Sequence, residues 1–334
     1  MKQKIRVLNM KEVKQILSMS DVLELVEKAF KERGLKHVQM PPKSYLFSQK
    51  FGGDLRVMPA YLEQLDDIGV KLVSVYPGNP SKYGLPTVLA TIVLFDPRTG
   101  AAISHMDGTY ITAMRTAAAS GVAVKYLARK DARVLGIIGA GYQSVFQLDA
   151  INKVMKIESV KIFDLIEKEA ENLAVLARKK FGLNARVVTT AEDAVRSSDV
   201  LVTVTPTRTP VVKSEWVTEG MHINAVGADA PGKEELEVEI LKRARLVIDD
   251  WEQTSRSGEI NVPVSKGMIT KASIYAEIGE IVAGAKEGRV SADEITMFDT
   301  TGLAIQDIIT AWHVYEMAEE KGIGREFESL SCEP

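Results

Sequence analysis

Cysteine is almost missing from this chain, with one residue, Cys332, in 334. A single thiol forms no internal disulfide and no cysteine-based metal cluster. Histidine is scarce too. His37, His105, His222 and His313 are scattered without HxH or HxxxH spacing, so no zinc site is expected, and His105 before Met106-Asp107-Gly108 reads as structural. Neither sign of charge is in surplus: 42 Lys and Arg stand against 45 Asp and Glu, a net −3, which argues against nucleic-acid binding by bulk electrostatics. Long apolar runs are lacking, since Val134 to Gly141 and Val200 to Val204 fall far short of the ~20 residues that cross a bilayer. The opening Met1-Lys2-Gln3-Lys4 leads into a charged segment rather than the apolar stretch of a secretory signal. A cytoplasmic protein with no membrane or nucleic-acid partner is expected.

What is present is length enough for roughly two domains. Val22, Leu23, Val26, Ala29 and Phe30 recur at helical spacing, with Ser20 as N-cap and Gly34 as stop. From Lys43 to Phe95 the pattern turns to short β-rich runs, Gly69 to Val75 and Thr87 to Phe95, broken by Pro and Gly clusters. An alanine-rich helix is predicted from about Gly108 to Ala128. Beyond Asp131 strands and helices alternate: strands at Arg133 to Ile138, Val160 to Phe163, Asp199 to Val204, Met221 to Val226 and Leu246 to Ile248, with helices from Gln143 and Glu167. That alternation predicts an α/β fold, a Rossmann-type doubly wound parallel sheet covered by helices. After Asp299-Thr300-Thr301-Gly302 a long helical pattern runs towards Gly322.

Gly139-Ala140-Gly141-Tyr142-Gln143-Ser144 sits between the apolar β-run Val134 to Ile138 and a helical segment. A lone glycine motif is weak, but a strand before it and a helix after it give the glycines work: a tight turn, and backbone approach to a pyrophosphate at the positive helix end. Ser144 replaces the third glycine. The next strand ends in Asp164, where an acid meets the ribose hydroxyls and repels a 2′-phosphate, so NAD (NADH) is expected rather than NADP. An Asp that merely caps the following helix would occupy the same place. Thr205-Pro206 and Val226-Gly227 close two further strands and are assigned to the nicotinamide half, with Gly302 as another cofactor contact.

Hydride transfer requires groups that neutralise substrate charge and move protons. Lys43 after Met40-Pro41-Pro42, Arg56 within Leu55 to Ala60, Lys71 inside an apolar strand and Arg115 in the alanine-rich helix supply cations in apolar settings, which need partners. The plainer readings are loop solvation for Lys43 and Arg56, an edge-strand lysine for Lys71 and a helix-surface ion pair for Arg115. Period-two alternation puts Lys71 on the face of Val73 and Val75, against an exposed position.

Lys71, Tyr76-Pro77-Gly78-Asn79-Pro80, Gly84-Leu85-Pro86-Thr87, Met106-Asp107-Gly108, Thr112 to Ala118, the turn Gly139-Ala140-Gly141, Gly227-Ala228-Asp229 and Thr301 to Asp307 follow one another along nearly the whole chain. In that order they resemble the ornithine cyclodeaminase/mu-crystallin family. The resemblance implies a homodimer whose discontinuous α+β domain, residues 1–115 and 303–334, carries substrate binding and dimerisation, facing a Rossmann domain of residues 116–302 across a cleft. It implies that Lys71 and Arg115 hold the substrate's carboxylate and its oxo or imino group. Asp229 matches the proton-transfer carboxylate, although a turn-capping Asp would look alike. The family includes alanine dehydrogenases, ketimine and pyrroline-2-carboxylate reductases, and ornithine cyclodeaminases. Cyclodeaminases are expected to carry a Glu where Arg56 stands, to meet a distal ammonium that a guanidinium would repel. Alanine dehydrogenase chemistry on pyruvate is therefore expected, with Lys43, Arg56 and Arg115 on the carboxylate and Lys71 and Asp229 catalytic. Ornithine cyclodeamination, ketimine reduction and a crystallin-like nucleotide-binding protein are the alternatives.

Overall fold

The computed structural model describes residues 4–328, so Cys332 lies outside the described residues. The chain divides into two compact units, Met1–Arg115 with Leu303–Pro334, and Thr116–Gly302. The first unit opens with β1 (Lys4–Leu8), β2 (Val38–Gln39), β3 (Ser44–Ser48), β4 (Gly53–Leu62), β5 (Asp67–Val75), β6 (Val88–Phe95) and β7 (Ala102–Asp107). The second holds β8 (Val134–Ile138), β9 (Ser159–Phe163), β10 (Asn184–Val187), β11 (Val200–Thr203), β12 (His222–Ala225), β13 (Arg245–Ile248), β14 (Ala276–Glu277) and β15 (Thr296–Asp299). The chain then re-enters the first unit through the helix Ala304–Lys321, and its last described element is β16 (Arg325–Glu328).

In the first unit the strands lie in the order β16-β1-β7-β6-β5-β4-β2, with β3 also paired to β4. All neighbours are antiparallel except β1 and β7. Alternation sends Arg56, Met58, Ala60 and Leu62 of β4 to the buried face, with Gly69, Lys71 and Val73 of β5 beside them. The helix Ala304–Lys321 packs on β4, β5 and β6. Its close approach needs Gly69: a Cβ there would stand 2.8 Å from the Val93 carbonyl oxygen and 3.0 Å from Ile308 Cδ1. Trp312 Nε1 donates to the Ile68 carbonyl at 3.2 Å, fixing the register of helix on sheet.

The first long helix spans Met19–Gly34, and its N-cap is Ser18, not Ser20. Ser18 and Asp21 exchange hydrogen bonds in a capping box, which draws Met19 into the helix as a buried residue one turn before the apolar pattern becomes obvious. Gly34 is the last helical residue, and the cap itself is Leu35. The strand β1 and the helix Met10–Ile16, capped by Asn9 and Glu12, precede it.

The second unit is an all-parallel sheet in the order β10-β9-β8-β11-β12-β15-β13-β14. Strand order reverses between β8 and β11, the switch point beside which α/β sheets bind ligands. Period-two alternation feeds two cores. Leu135, Ile137, Val160, Ile162, Val200 and Val202 pack with Leu148, Ile151 and Leu173, while Ile138, Leu201, Ile223 and Ala225 pack with Val195, Ile240 and Leu241. The fold is thus a Rossmann-type doubly wound sheet joined to a mixed α+β unit. The boundary between units falls inside the helix Thr109–Leu127.

Candidate active site

Three charged side chains of the first unit meet in its interior. Lys71 is fully buried, opposite Met58 on β4 and Ile92 on β6. Its Nζ lies 2.7 Å from Asp307 Oδ2, and Arg115 Nε lies 2.9 Å from Asp307 Oδ1. Arg115 Nη1 also donates to Gln306 Oε1 at 3.1 Å, and Lys71 Nζ to Thr112 Oγ1 at 3.4 Å. One carboxylate therefore serves two cations, leaving a positive excess in a site that excludes water. Burial, reinforced by the Arg115 guanidinium and by Lys43 and opposed by Asp307, pulls the Lys71 ammonium down to about 7. A lysine there gains and loses its proton near neutrality, the property an acid–base group requires.

Arg56 lies on the same sheet face, is 6% exposed and does not lie in a solvated loop. Asp54 grips its guanidinium with both oxygens, at 2.7 Å and 3.3 Å, and the Tyr45 ring lies 5.3 Å away. Lys43 is half-buried just before β3. The structure thus gathers Lys71 and Arg115 around Asp307, with the Arg56–Asp54 pair on the same face. Sequence reasoning quoted Asp307 within a motif but gave it no role, and passed over Asp54. The available signal for Asp307 was a polar pair, Gln306-Asp307, set between apolar Ile305 and Ile308 of one helix.

In the second unit β8 runs into the glycine turn and then into the helix Tyr142–Val154, whose N-terminus carries no side-chain cap. Gly139 has φ +96°, and a Cβ there would strike the Val204 carbonyl oxygen at 2.7 Å, so the turn needs glycine. At Gly141 a Cβ would meet nothing within 4 Å: an open cradle lies over an uncapped helix end, which fits a pyrophosphate. Asp164 accepts from Ala140 N at 2.7 Å and from Ile166 N at 2.8 Å, so it braces the glycine turn as well as the bend after β9. Tyr142 is exposed and meets Phe146 edge-on at 5.0 Å, while Gln143 is half-buried.

The other assigned loops differ in character from the glycine turn. Thr205 N and Gly227 N both donate to the carboxylate of buried Glu235, at 2.7 Å and 2.8 Å, and Gly302 N donates to Asp249 at 2.8 Å. Their amides are therefore committed inside the protein, and these positions, with Pro206 and Val226, shape the end of the sheet instead of offering N–H donors. Asp229 follows this turn as an ion pair with Lys233 at 2.5 Å. His105 sits on β7, its Nε2 against Thr91 Oγ1, and His222 is buried between Thr296 and Asn224. Burial and the Arg289 charge hold the His222 ring down to about 3, hence neutral. Among the described residues no cluster of His, Cys, Asp or Glu is arranged to hold a metal, and no helix is long and apolar enough to cross a membrane.

The family model for ornithine cyclodeaminase/mu-crystallin proteins matches residues 3–322. The chain belongs to the ornithine cyclodeaminase/mu-crystallin family. Within that family it is 52% identical over 318 residues to an alanine dehydrogenase of Archaeoglobus fulgidus, covering 95% of this chain and 96% of that one. A solved archaeal alanine dehydrogenase dimer with bound NAD superposes with a TM-score of 0.94 at 50% identity, over 98% of this chain and 99% of that one. The Thermococcus litoralis pyrroline-2-carboxylate reductase, solved with NADH and L-proline, gives a TM-score of 0.93 at 44% identity, over 96% and 99% of the two chains. Family membership and the cradle over Gly141 point to the same occupant class, a dinucleotide.

Proposed function

We propose that this chain is an NAD-dependent oxidoreductase acting on a small 2-oxo or 2-amino acid, and specifically an alanine dehydrogenase. Pyruvate, ammonium, NADH and a proton give L-alanine, NAD+ and water, reversibly. The observation that carries this reading is the buried Lys71–Asp307–Arg115 group, two cations on one carboxylate with the ammonium drawn down to about 7. NAD(H), when bound, supplies or accepts the hydride. Gly139, Ala140, Gly141, Tyr142, Gln143 and Asp164 would hold its adenosine and pyrophosphate half, with Thr205, Pro206, Val226, Gly227 and Gly302 shaping the nicotinamide half. The similarity to NAD- and NADH-bound relatives supports that assignment.

Arg115 neutralises the substrate carboxylate, whose single negative charge balances the excess left by Asp307, with Lys43 and the Asp54-matched Arg56 beside it as further hydrogen-bond donors. Lys71 polarises the 2-oxo or imino group and gives it a proton, and Asp229 handles the proton of ammonia or of the departing water. The protein works as a homodimer, in line with the archaeal dimer it resembles, with the first unit as substrate and dimerisation domain. A second reading, reduction of a cyclic imine such as pyrroline-2-carboxylate, draws on the Asp54–Arg56 pair. With that guanidinium already matched, the site calls for one substrate carboxylate and no second charge.

Loss of NADH absorbance on mixing enzyme with pyruvate and ammonium tests the assignment. Turnover with pyruvate above that with a cyclic imine supports alanine dehydrogenase. Turnover of the imine alone transfers the protein to the second reading, and proline formed from ornithine without net NADH use overturns both.

A further inference from the structure

A buried carboxylate with no part in the proton chemistry ties together the two strand ends assigned to the nicotinamide. Glu235 is 0% exposed. Its Oε1 accepts from Thr205 N at 2.7 Å and Thr205 Oγ1 at 2.8 Å. Its Oε2 accepts from Thr203 Oγ1 and Gly227 N, each at 2.8 Å. Thr203 is the last residue of β11, Thr205 lies in the loop after it, and Gly227 is in the turn after β12, two residues before Asp229. A Cβ on Gly227 would lie 2.2 Å from the Thr205 carbonyl oxygen and 2.6 Å from the Glu235 carboxyl carbon, so the two loops and the carboxylate leave no slack. Glu235 is itself anchored, because Glu259 accepts from Glu235 N and from Leu236 N at 2.7 to 3.0 Å, and Asp299 accepts from Glu259 N at 2.9 Å. The anchor reaches back to the carboxyl end of β15.

We infer that Glu235 is a positioning residue for the nicotinamide half of the cofactor: its carboxylate sets the spacing of the β11 and β12 loops that receive that half and holds the turn that presents Asp229. This rests on the NAD reading above. Four donors converge on two oxygens, a demand that a carboxylate meets with acceptors alone. In Glu235→Gln the size is kept, but the amide NH2 must face a backbone N–H, either that of Thr205 or that of Gly227. One loop is pushed away while Asp164, which follows β9 on the far side of β8 from β11, keeps its own hydrogen bonds to Ala140 N and Ile166 N.

The test separates the two halves of the dinucleotide by calorimetric titration of NADH and of AMP into wild type and variants. In Glu235→Gln, NADH is expected to bind about tenfold more weakly, the consequence of one buried donor left facing another, while AMP binds as in wild type. Thr203→Val, which removes one hydroxyl donor at nearly constant volume, is expected to shift NADH in the same direction by about threefold and carries the test if Glu235→Gln fails to fold. A general loosening would weaken both ligands alike. Equal weakening of NADH and AMP, or none of NADH, overturns the inference while leaving the cofactor assignment intact. Wild-type protein that takes up neither ligand overturns the cofactor assignment and this inference with it.

Discussion

In the first unit one buried carboxylate, Asp307, is shared by two cations, and it is the lysine of the group that gives way, drawn down to about 7. In the second, Glu235, Glu259, Asp249 and Asp299 are equally buried but are met by backbone amides and threonine hydroxyls. There Glu235, Glu259 and Asp299 are the groups that give way. Burial pushes Glu259 well above the usual carboxylate range and Asp299 up to about 8. The contrast separates two uses of buried charge. A cation pair on a carboxylate makes a titratable, unbalanced group, which the proposed function uses to bind an anion and move its protons, whereas amide-held acids fasten loops to strand ends.

The largest expected effect comes from breaking the first arrangement. Asp307→Asn leaves Lys71 and Arg115 buried side by side without their counter-ion, and should cost about 3–5 kcal/mol in chemical denaturation. A change under about 1 kcal/mol would mean that the pocket does not depend on the shared carboxylate. Lys71→Met keeps the Arg115–Asp307 pair and removes the acid–base group. Its kcat/KM for pyruvate reduction should fall at least about 100-fold, with NADH affinity retained. The wild-type pH profile sharpens the same point: Lys71 must be protonated to donate, so reductive kcat/KM should decline above about 7, and a flat profile to pH 9 would remove Lys71 from that role.

The smallest effect belongs to the second arrangement. A carboxyl whose pKa is raised on folding binds its proton more tightly in the folded state, so its stabilising contribution is complete below the unfolded value near 4 and is lost as pH climbs through about 8. Wild-type Tm should therefore drift downward between pH 5 and 8. Asp299→Asn should flatten that drift, and identical slopes for the two proteins would count against a protonated Asp299.

The parallel sheet was legible because apolar runs, a glycine turn and helical spacing repeat in β8, β9, β11, β12 and β13. β10, with the sequence Asn-Ala-Arg-Val, and β15, Thr-Met-Phe-Asp, were not legible as strands. The cations Lys71, Arg56 and Arg115 stood out as charges in apolar settings, but their partners did not. Pairing is a long-range fact, and Arg115 and Asp307 lie 192 residues apart. Glu235 and Glu259 were illegible for a related reason: a glutamate that binds backbone amides looks, in sequence, like any surface acid. Ser18 displaced Ser20 because a capping box depends on which serine has an acid three residues on.

The separation between Arg115 and its counter-ion also sets an order of assembly. Throughout synthesis of the second unit, Lys71 and Arg115 have been made but their carboxylate has not, and two unmatched cations cannot be packed against an apolar sheet. The first unit must therefore await the last stretch of the nascent chain, whereas residues 116–302 are contiguous and can close as soon as they emerge from the ribosome. A chain truncated before residue 304 would keep its parallel sheet and lose the carboxylate that Lys71 and Arg115 share.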